Sequence, residues 1–557
     1  MNTLQTADYI VFFIYFIAVS AYGYYIYNRK KAATTSSKDF FLAEGSLTWW
    51  AIGASLIASN ISAEHFIGMS GSGFALGLAI STYEWMAAAT LIIVAIFIIP
   101  MYLKNKIFTM PQFLAKRYND TVSTIMAVIW LLVYVFVNLT SIIYLGALAI
   151  SSISNISFEW CIAGLSIFSI IVTLGGMKVI GYTDVFQVLV LIIGGLVTTY
   201  LALTLLSEQF GFGKDILKGL SILRKEAPDH FHMIFDQSSP HYKELPGMSV
   251  LIGGMLINNL AYWGCNQYIV QRALGADLKT ARKGILFAAF LKMLVPVIAV
   301  LPGIAMYVMH HNGMFQKEMV DAAGVVKPDQ AYPTLMNLLP AGLKGVAFAA
   351  LTAAVVASLA GKANSISTIF SLDIYKKYIN KEATERKLVL TGRWAVIIAM
   401  LIAAIVAPAL KSLDQAYQFI QEYAGFFSPG VLAIFLLGMF WKKTTAAAGL
   451  AGAVLTVPLS AGLKFLPEIM NLEFLASAGF AIKNEDGVFE IPFLDRMAIV
   501  FFLIVVIMAI ISLVKPKPVS DTHVIEMDKS LFKVSPGFII GSFIICGILA
   551  ALYTVFW

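Results

Sequence analysis

The stretch SNISAEHFIGMSGSG, residues 59–73, lies between WWAIGASLIA and LGLAISTYEW, whose apolar character marks a membrane-spanning helix. It sets Asn60, Ser62, Glu64 and His65 where hydrocarbon is expected, and adds the helix-weakening Gly68, Gly71 and Gly73, with Gly77 just beyond. Asn, Ser and Gly in a membrane helix can serve close packing alone. An ionisable group is different, because a charge at the bilayer centre costs about 2.5–3.5 kcal/mol on insertion scales and needs a partner or a wet cavity. Glu64, Glu84, Asp184, Lys292, Lys362 and Glu422 all fall in apolar runs. Six such groups point to a functional pathway through the membrane.

The 557-residue chain is 59% hydrophobic and only 13% charged, with a mean hydropathy of +0.81, outside the balance of water-soluble domains. It reads as an all-α polytopic membrane protein. Runs of about 18–30 apolar residues, enough to cross roughly 30 Å of hydrocarbon, recur fourteen times between 10–27 and 538–556, and the run at 160–174 is the shortest. The net charge of +7 is no sign of nucleic acid, because Lys and Arg gather in short loops such as NRKK (28–31), KNK (104–106) and KPK (515–517). The positive-inside rule puts those loops in the cytoplasm, and both termini and the loops 207–247, 309–344 and 464–496 outside. The first apolar run lacks a positive leader and precedes NRKK, the pattern of a first transmembrane helix. Cys161, Cys265 and Cys546 sit in apolar runs without metal-ligand spacing and read as buried thiols. No nucleophile–base pair, metal cluster or phosphate loop suggests an embedded enzyme: HH at 310–311 is an isolated loop pair, and NLT at 138–140 lies inside a helix.

A second interruption mirrors the first. MLINNLAYWGCNQYIVQR, residues 255–272, carries Asn258, Asn259, Asn266, Gln267 and Gln271 in a spanning run five segments after the polar segment two. Two broken helices at that separation predict a five-plus-five inverted repeat with a substrate site at the membrane midplane, where the breaks meet. The expected organisation is a peripheral first helix and loop over 1–45, repeats over 46–245 and 246–441, and three peripheral helices with linkers over 442–557.

The strings FLAEGSLTWWAIGASLIASNISAEHFIGMSGSG, YEWMAA, GYTDVFQ, AYWGCNQYIVQR, NSISTIFSLDIYKK and QEYAGFFSPG stand in order along the chain. Together they resemble the sodium/solute symporter family, most closely its sugar branch, from about residue 8 to the C-terminus. The resemblance implies fourteen helices around an inverted-repeat core and sodium-coupled sugar symport in a bacterial inner (cell) membrane, with sugar, sodium and the lipid bilayer as partners. It carries a sugar site onto Asn60, His65, Glu84, Asn259, Lys292 and Gln421. Mixed carboxylate, amide and ammonium groups suit a hexose, whose hydroxyls both donate and accept. Gates fall on Met69, Tyr83 and Tyr417 outside and on Tyr262 inside, where aromatic faces can cover a sugar ring. His65 and Ala87 depart from the family's bacterial galactose pattern, which has Gln and Ser there.

The family's sodium site is carried onto Ala58 and Ile61 at the first break and Ala354 and Ser358 on segment nine. The first of the family's paired serines is here Ala357, so one oxygen ligand for a hard cation is missing. Lys362, in VVASLAGKANSIS, stands where relatives have an apolar residue, one turn past Ser358 on the same helix face. Either segment nine projects into the cytoplasm and Lys362 is wet, or its ammonium replaces a bound cation. Asp184 and Lys362 form a second candidate cation site; alternatively Asp184 caps a helix beginning after GYT. The expected function is sodium-coupled symport of a hexose-like sugar by alternating access. A sodium-independent facilitator with Lys362 as built-in cation, or a sugar-responsive sensor, are the alternatives.

Overall fold

The computed structural model describes residues 4–29, 47–154, 156–321, 324–412, 416–484, 487–514, 516, 525 and 527–557. These are mostly helical, joined by loops; the named strands are a two-stranded antiparallel pairing of Ile482–Lys483 with Phe489–Glu490, and Val320 and Val326 form an isolated bridge. Among the described residues, eleven helices are long and apolar enough to cross a bilayer, with Phe158–Thr173 as a shorter apolar one. The count differs from fourteen for a physical reason. Two of the expected segments merge into one helical run, Glu64–Lys104, and the segment at 248–271 is split into helices of 12 and 8 residues, Gly254–Cys265 and Gln267–Leu274. The remaining difference is the 16-residue Phe158–Thr173, which is shorter than the roughly 20 residues a bilayer requires.

The first broken helix consists of Trp49–Asn60, then Glu64–Met69 and Ser70–Leu76. Its two parts are held by glycine-mediated approach to the helical pair Leu278–Lys292 and Val295–His311. A Cβ on Gly284 would stand 2.8 Å from the Trp49 carbonyl, and one on Gly303 only 2.0 Å from the Ser70 carbonyl. Backbones at that range leave no room for a side chain, the packing that membrane helices use in place of a hydrophobic drive.

Helices near both ends of the described chain are tied to loops. Asp8 Oδ1 accepts from the Gly342 and Gly345 N–H groups at 2.7 and 2.9 Å, tying the N-terminal helix to the start of Leu343–Ile369. The Met233 N–H donates to the Phe556 carbonyl at 2.6 Å. Lys243 pairs with Glu490 at 2.6 Å, joining the 207–247 loop to the 464–496 loop. Other basic residues are held by the loops they border: Arg117 Nε donates to the Gly438 carbonyl and Arg282 Nη1 to the Lys533 carbonyl, both at 2.8 Å, and Lys377 pairs with Asp120 at 2.5 Å.

Candidate functional site

Each break is built by side chains that intercept backbone hydrogen bonds. Helix Trp49–Asn60 ends where Ile61 turns extended (φ −72°, ψ 122°). The Ser62 N–H, which a continuing helix would send to the Ala58 carbonyl, donates instead to His65 Nδ1 at 3.3 Å. Ser62 Oγ accepts from the Glu64 N–H at 3.2 Å, starting the next helical stretch as a capping hydroxyl does. In the second broken helix Asn266 is extended (φ −99°, ψ 127°). The Tyr134 hydroxyl serves that break from both sides, donating to Asn266 Oδ1 and accepting from the Gln267 N–H at 3.1 Å.

Between the breaks lies a cavity of about 130 Å³. All six residues of the expected sugar set line it: Asn60, His65, Glu84, Asn259, Lys292 and Gln421. They come from six helical elements spread between Trp49 and Ala424. Four of them form one hydrogen-bonded unit. The buried Lys292 ammonium donates to both Asn60 Oδ1 and Glu84 Oε2, and the second Glu84 oxygen lies 3.3 Å from His65 Nε2. Because His65 Nδ1 accepts from the Ser62 N–H, Nε2 carries the ring proton and donates to Glu84. Asn60 Nδ2 donates in turn to the Tyr262 hydroxyl at 2.8 Å. Asn259 Nδ2 donates back to the Met255 carbonyl at 3.1 Å. Of the expected gates, Tyr83 and Tyr262 line the cavity and Met69 is fully buried. Tyr417 falls on the helix Ala416–Ala424, but its side chain lies outside the described residues.

The expected cation residues sit behind the cavity. Ala58, Ile61, Ala354 and Ser358 are buried, and the Ser358 hydroxyl donates to the Ser59 carbonyl at 3.0 Å. Lys362 is only 2% exposed, so it is not a wet residue on a projecting helix. Its ammonium donates to Ser358 Oγ at 2.8 Å and lies 4.7 Å from the Tyr268 ring centroid, within cation–π range. Its expected pairing with Asp184 is corrected: the partner of Asp184 is Arg272, at 3.8 Å, with Ser55 Oγ donating to the carboxylate and accepting from Arg272 Nε at 2.8 Å. Nor does Asp184 cap a helix, since the helix around it begins at Gly176. Two groups went unassigned in the sequence. Arg272 follows Gln271 at the end of an apolar run. Glu64 lines the cavity and accepts from the Ser141 and Ser62 hydroxyls at 2.7 and 3.1 Å; its charge in an apolar run was the available signal.

Comparison with known proteins identifies this architecture. Residues 40–456 match the model of the Sodium:solute symporter family. The chain is 45% identical over 561 residues to the sodium/glucose cotransporter of Vibrio parahaemolyticus, covering 100% of this chain and 99% of that relative. It is 33% identical over 474 residues to the sodium/myo-inositol cotransporter 2 of Sus scrofa, covering 82% of this chain and 69% of that one. A solved structure of a Na⁺-coupled sialic acid symporter, substrate-bound and outward-open, superposes with a TM-score of 0.73 at 20% identity, over 92% of this chain and 99% of that one. The last likeness establishes the fold, an all-α inverted-repeat core around two broken helices. With the family model spanning three quarters of the sequence and a relative aligned end to end, the chain belongs to the sodium:solute symporter family.

Proposed function

We propose that the protein is a secondary transporter that carries a hexose-like sugar together with sodium across the cell membrane by alternating access. One observation carries the reading: six polar side chains from six helical elements converge on one cavity at the meeting of two broken helices. Membership of a symporter family makes transport, not catalysis, the task of such a site, and the sugar- and inositol-carrying names of its relatives point to a polyhydroxylated cargo.

Asn60, His65, Glu84, Asn259, Lys292 and Gln421 would bind the sugar. Lys292, Glu84, Asn60 and His65 satisfy one another, so a sugar would exchange its hydroxyls into bonds already made. A hydroxyl that fails to do so leaves a buried group unpaired at a cost of about 1–3 kcal/mol, which is the source of selectivity. Tyr83, Met69 and Tyr417 would close the site outside and Tyr262 inside. Sodium would be held at the first break by carbonyls of Ala58 and Ile61 with Ala354 and Ser358, where the C-terminal end of helix Trp49–Asn60 directs its negative pole. The positive-inside rule would put the basic loops in the cytoplasm and the two termini outside.

Uptake of a panel of radiolabelled monosaccharides into proteoliposomes, with and without an inward sodium gradient, tests this. Gradient-driven accumulation is expected. Equilibration without accumulation would identify a facilitator, and binding without uptake a sensor.

A further inference from the structure

The charges around the two breaks close without an added ion. Lys292 pairs with Glu84, and Arg272 with Asp184 at 3.8 Å. The third cation, Lys362, shares the central cavity with the third carboxylate, Glu64, and lies in its electrostatic reach. Three positive groups thus meet three negative ones in a setting where an unbalanced charge is costly. A sodium ion entering beside all six would leave one positive charge in excess.

The seat of Lys362 matters as much as its sign. Its ammonium donates to the Ser358 hydroxyl at 2.8 Å, and that hydroxyl donates to the Ser59 carbonyl at 3.0 Å, at the end of the first half-helix. A cation at the negative pole of a helix is stabilised there whatever its source. The neighbouring position on the same helix, Ala357, offers no side-chain oxygen.

We infer that the Lys362 ammonium is a tethered competitor of the coupling ion, seated on Ser358 at the first break, and that sodium binds this protein by displacing it. The inference rests on the location of sodium at that break given above. It follows that Lys362 weakens sodium binding, and that without sodium the ammonium keeps the break and the sugar site in order.

The test is direct binding of ²²Na⁺ to the purified full-length protein, with monosaccharide binding measured in parallel in sodium and in choline. Lys362→Met and Lys362→Gln are expected to bind sodium at least tenfold more tightly than wild type, and to lose at least tenfold in sugar affinity when choline replaces sodium. Lys362→Arg, which keeps the charge, should stay near wild type in sodium affinity. Lys362→Gln retains length and polarity, so it serves if the Met variant does not fold. Sodium binding no tighter in the two neutral variants than in wild type, including no binding by any of them, overturns the inference. Absence of monosaccharide binding by wild type at every sodium concentration would instead count against the sugar-transport reading, and the ²²Na⁺ titration would still decide the role of Lys362.

Discussion

The side-chain amide of Asn60 donates to the hydroxyl of Tyr262 at 2.8 Å, so one hydrogen bond joins the two broken helices across the central cavity. Tyr262 is further fixed edge-on against Tyr268, with ring centroids 5.6 Å apart. A phenol whose ring alone sealed the cavity would tolerate loss of its oxygen. Here the hydroxyl has a partner, and Tyr262→Phe leaves Asn60 Nδ2 without its acceptor at a cost of about 1–3 kcal/mol. Sugar transport by Tyr262→Phe should therefore fall roughly tenfold, by the same free-energy scale. Wild-type uptake rates in that variant would show that the hydroxyl is idle.

Glu84 and Gln421 both line the cavity, yet their removal should read out differently. Glu84 neutralises Lys292, whose side chain is 0% exposed. Breaking such a buried pair costs about 3–5 kcal/mol, so Glu84→Ala should lower the melting temperature as well as abolish sugar binding. Gln421→Ala leaves no buried charge behind. It should weaken sugar affinity by about ten- to a hundredfold, the equivalent of 1–3 kcal/mol, with little change in melting temperature. Unchanged affinity in a folded Gln421→Ala protein would remove that residue from the site.

The pair Asp184–Arg272 should behave as a coupled unit. Neutralising either partner alone strands the other in the core, whereas Asp184→Asn with Arg272→Gln removes both charges. Residues in direct contact show interaction energies of about 0.5–3 kcal/mol in such cycles. The double variant should accordingly lose less stability than the sum of the single ones. Combining Asp184→Asn with Lys362→Met should come closer to additivity, because the two residues do not share a bond. Melting curves of the variants decide it; strong coupling of Asp184 with Lys362 and none with Arg272 would reverse the assignment.

How far the sequence discloses this site depends on whether a residue's surroundings are local. Glu64, His65 and Asn60 stand out because they interrupt an apolar run, and the two interruptions, five segments apart, suffice to suggest the repeat. Arg272 does not stand out, since a basic residue at the edge of a span is also what a cytoplasmic boundary looks like. Only the fold brings it to Ser55 and Asp184. The surroundings of Asp184 are obscure in the sequence for a related reason. Glycines before it resemble a loop, yet the helix starts at Gly176, and Gly181 sits where a Cβ would be 2.9 Å from the Leu47 side chain. Glycine there permits close packing inside the helix, and a single sequence does not separate that use from a turn. The count of spans changes with the criterion where helices break, because hydropathy measures apolar length and not helix continuity.

At the end of the first broken helix that meets the 207–247 loop, the turn Pro228–Phe231 straps the backbone. Gly77, at φ +74°, lies so close beneath it that a Cβ would be 2.4 Å from the His230 carbonyl oxygen. His230 Nε2 lies 3.0 Å from the Phe74 carbonyl and donates to it, and its ring stacks on Tyr307 with centroids 3.8 Å apart. Burial pushes the imidazole below its ordinary range; the Phe74 carbonyl and Asp229 oppose that shift, and His241 and His311 add to it. The docked strap therefore prefers neutral His230, while the undocked one takes up a proton at the ordinary histidine value of about 6.5. Docking should be complete above that value and weaken as pH falls below it, since the released form binds more protons. Hydrogen exchange of residues 227–233 should thus accelerate between pH 7 and 5 after correction for intrinsic rates. In His230→Gln, which can still donate to Phe74 but has no proton to gain, the corrected rates should lose most of that pH dependence. An equally steep acid response in the Gln variant would assign the effect to another group, His311, whose ring centroid lies 4.0 Å from that of Tyr307, being the first to replace.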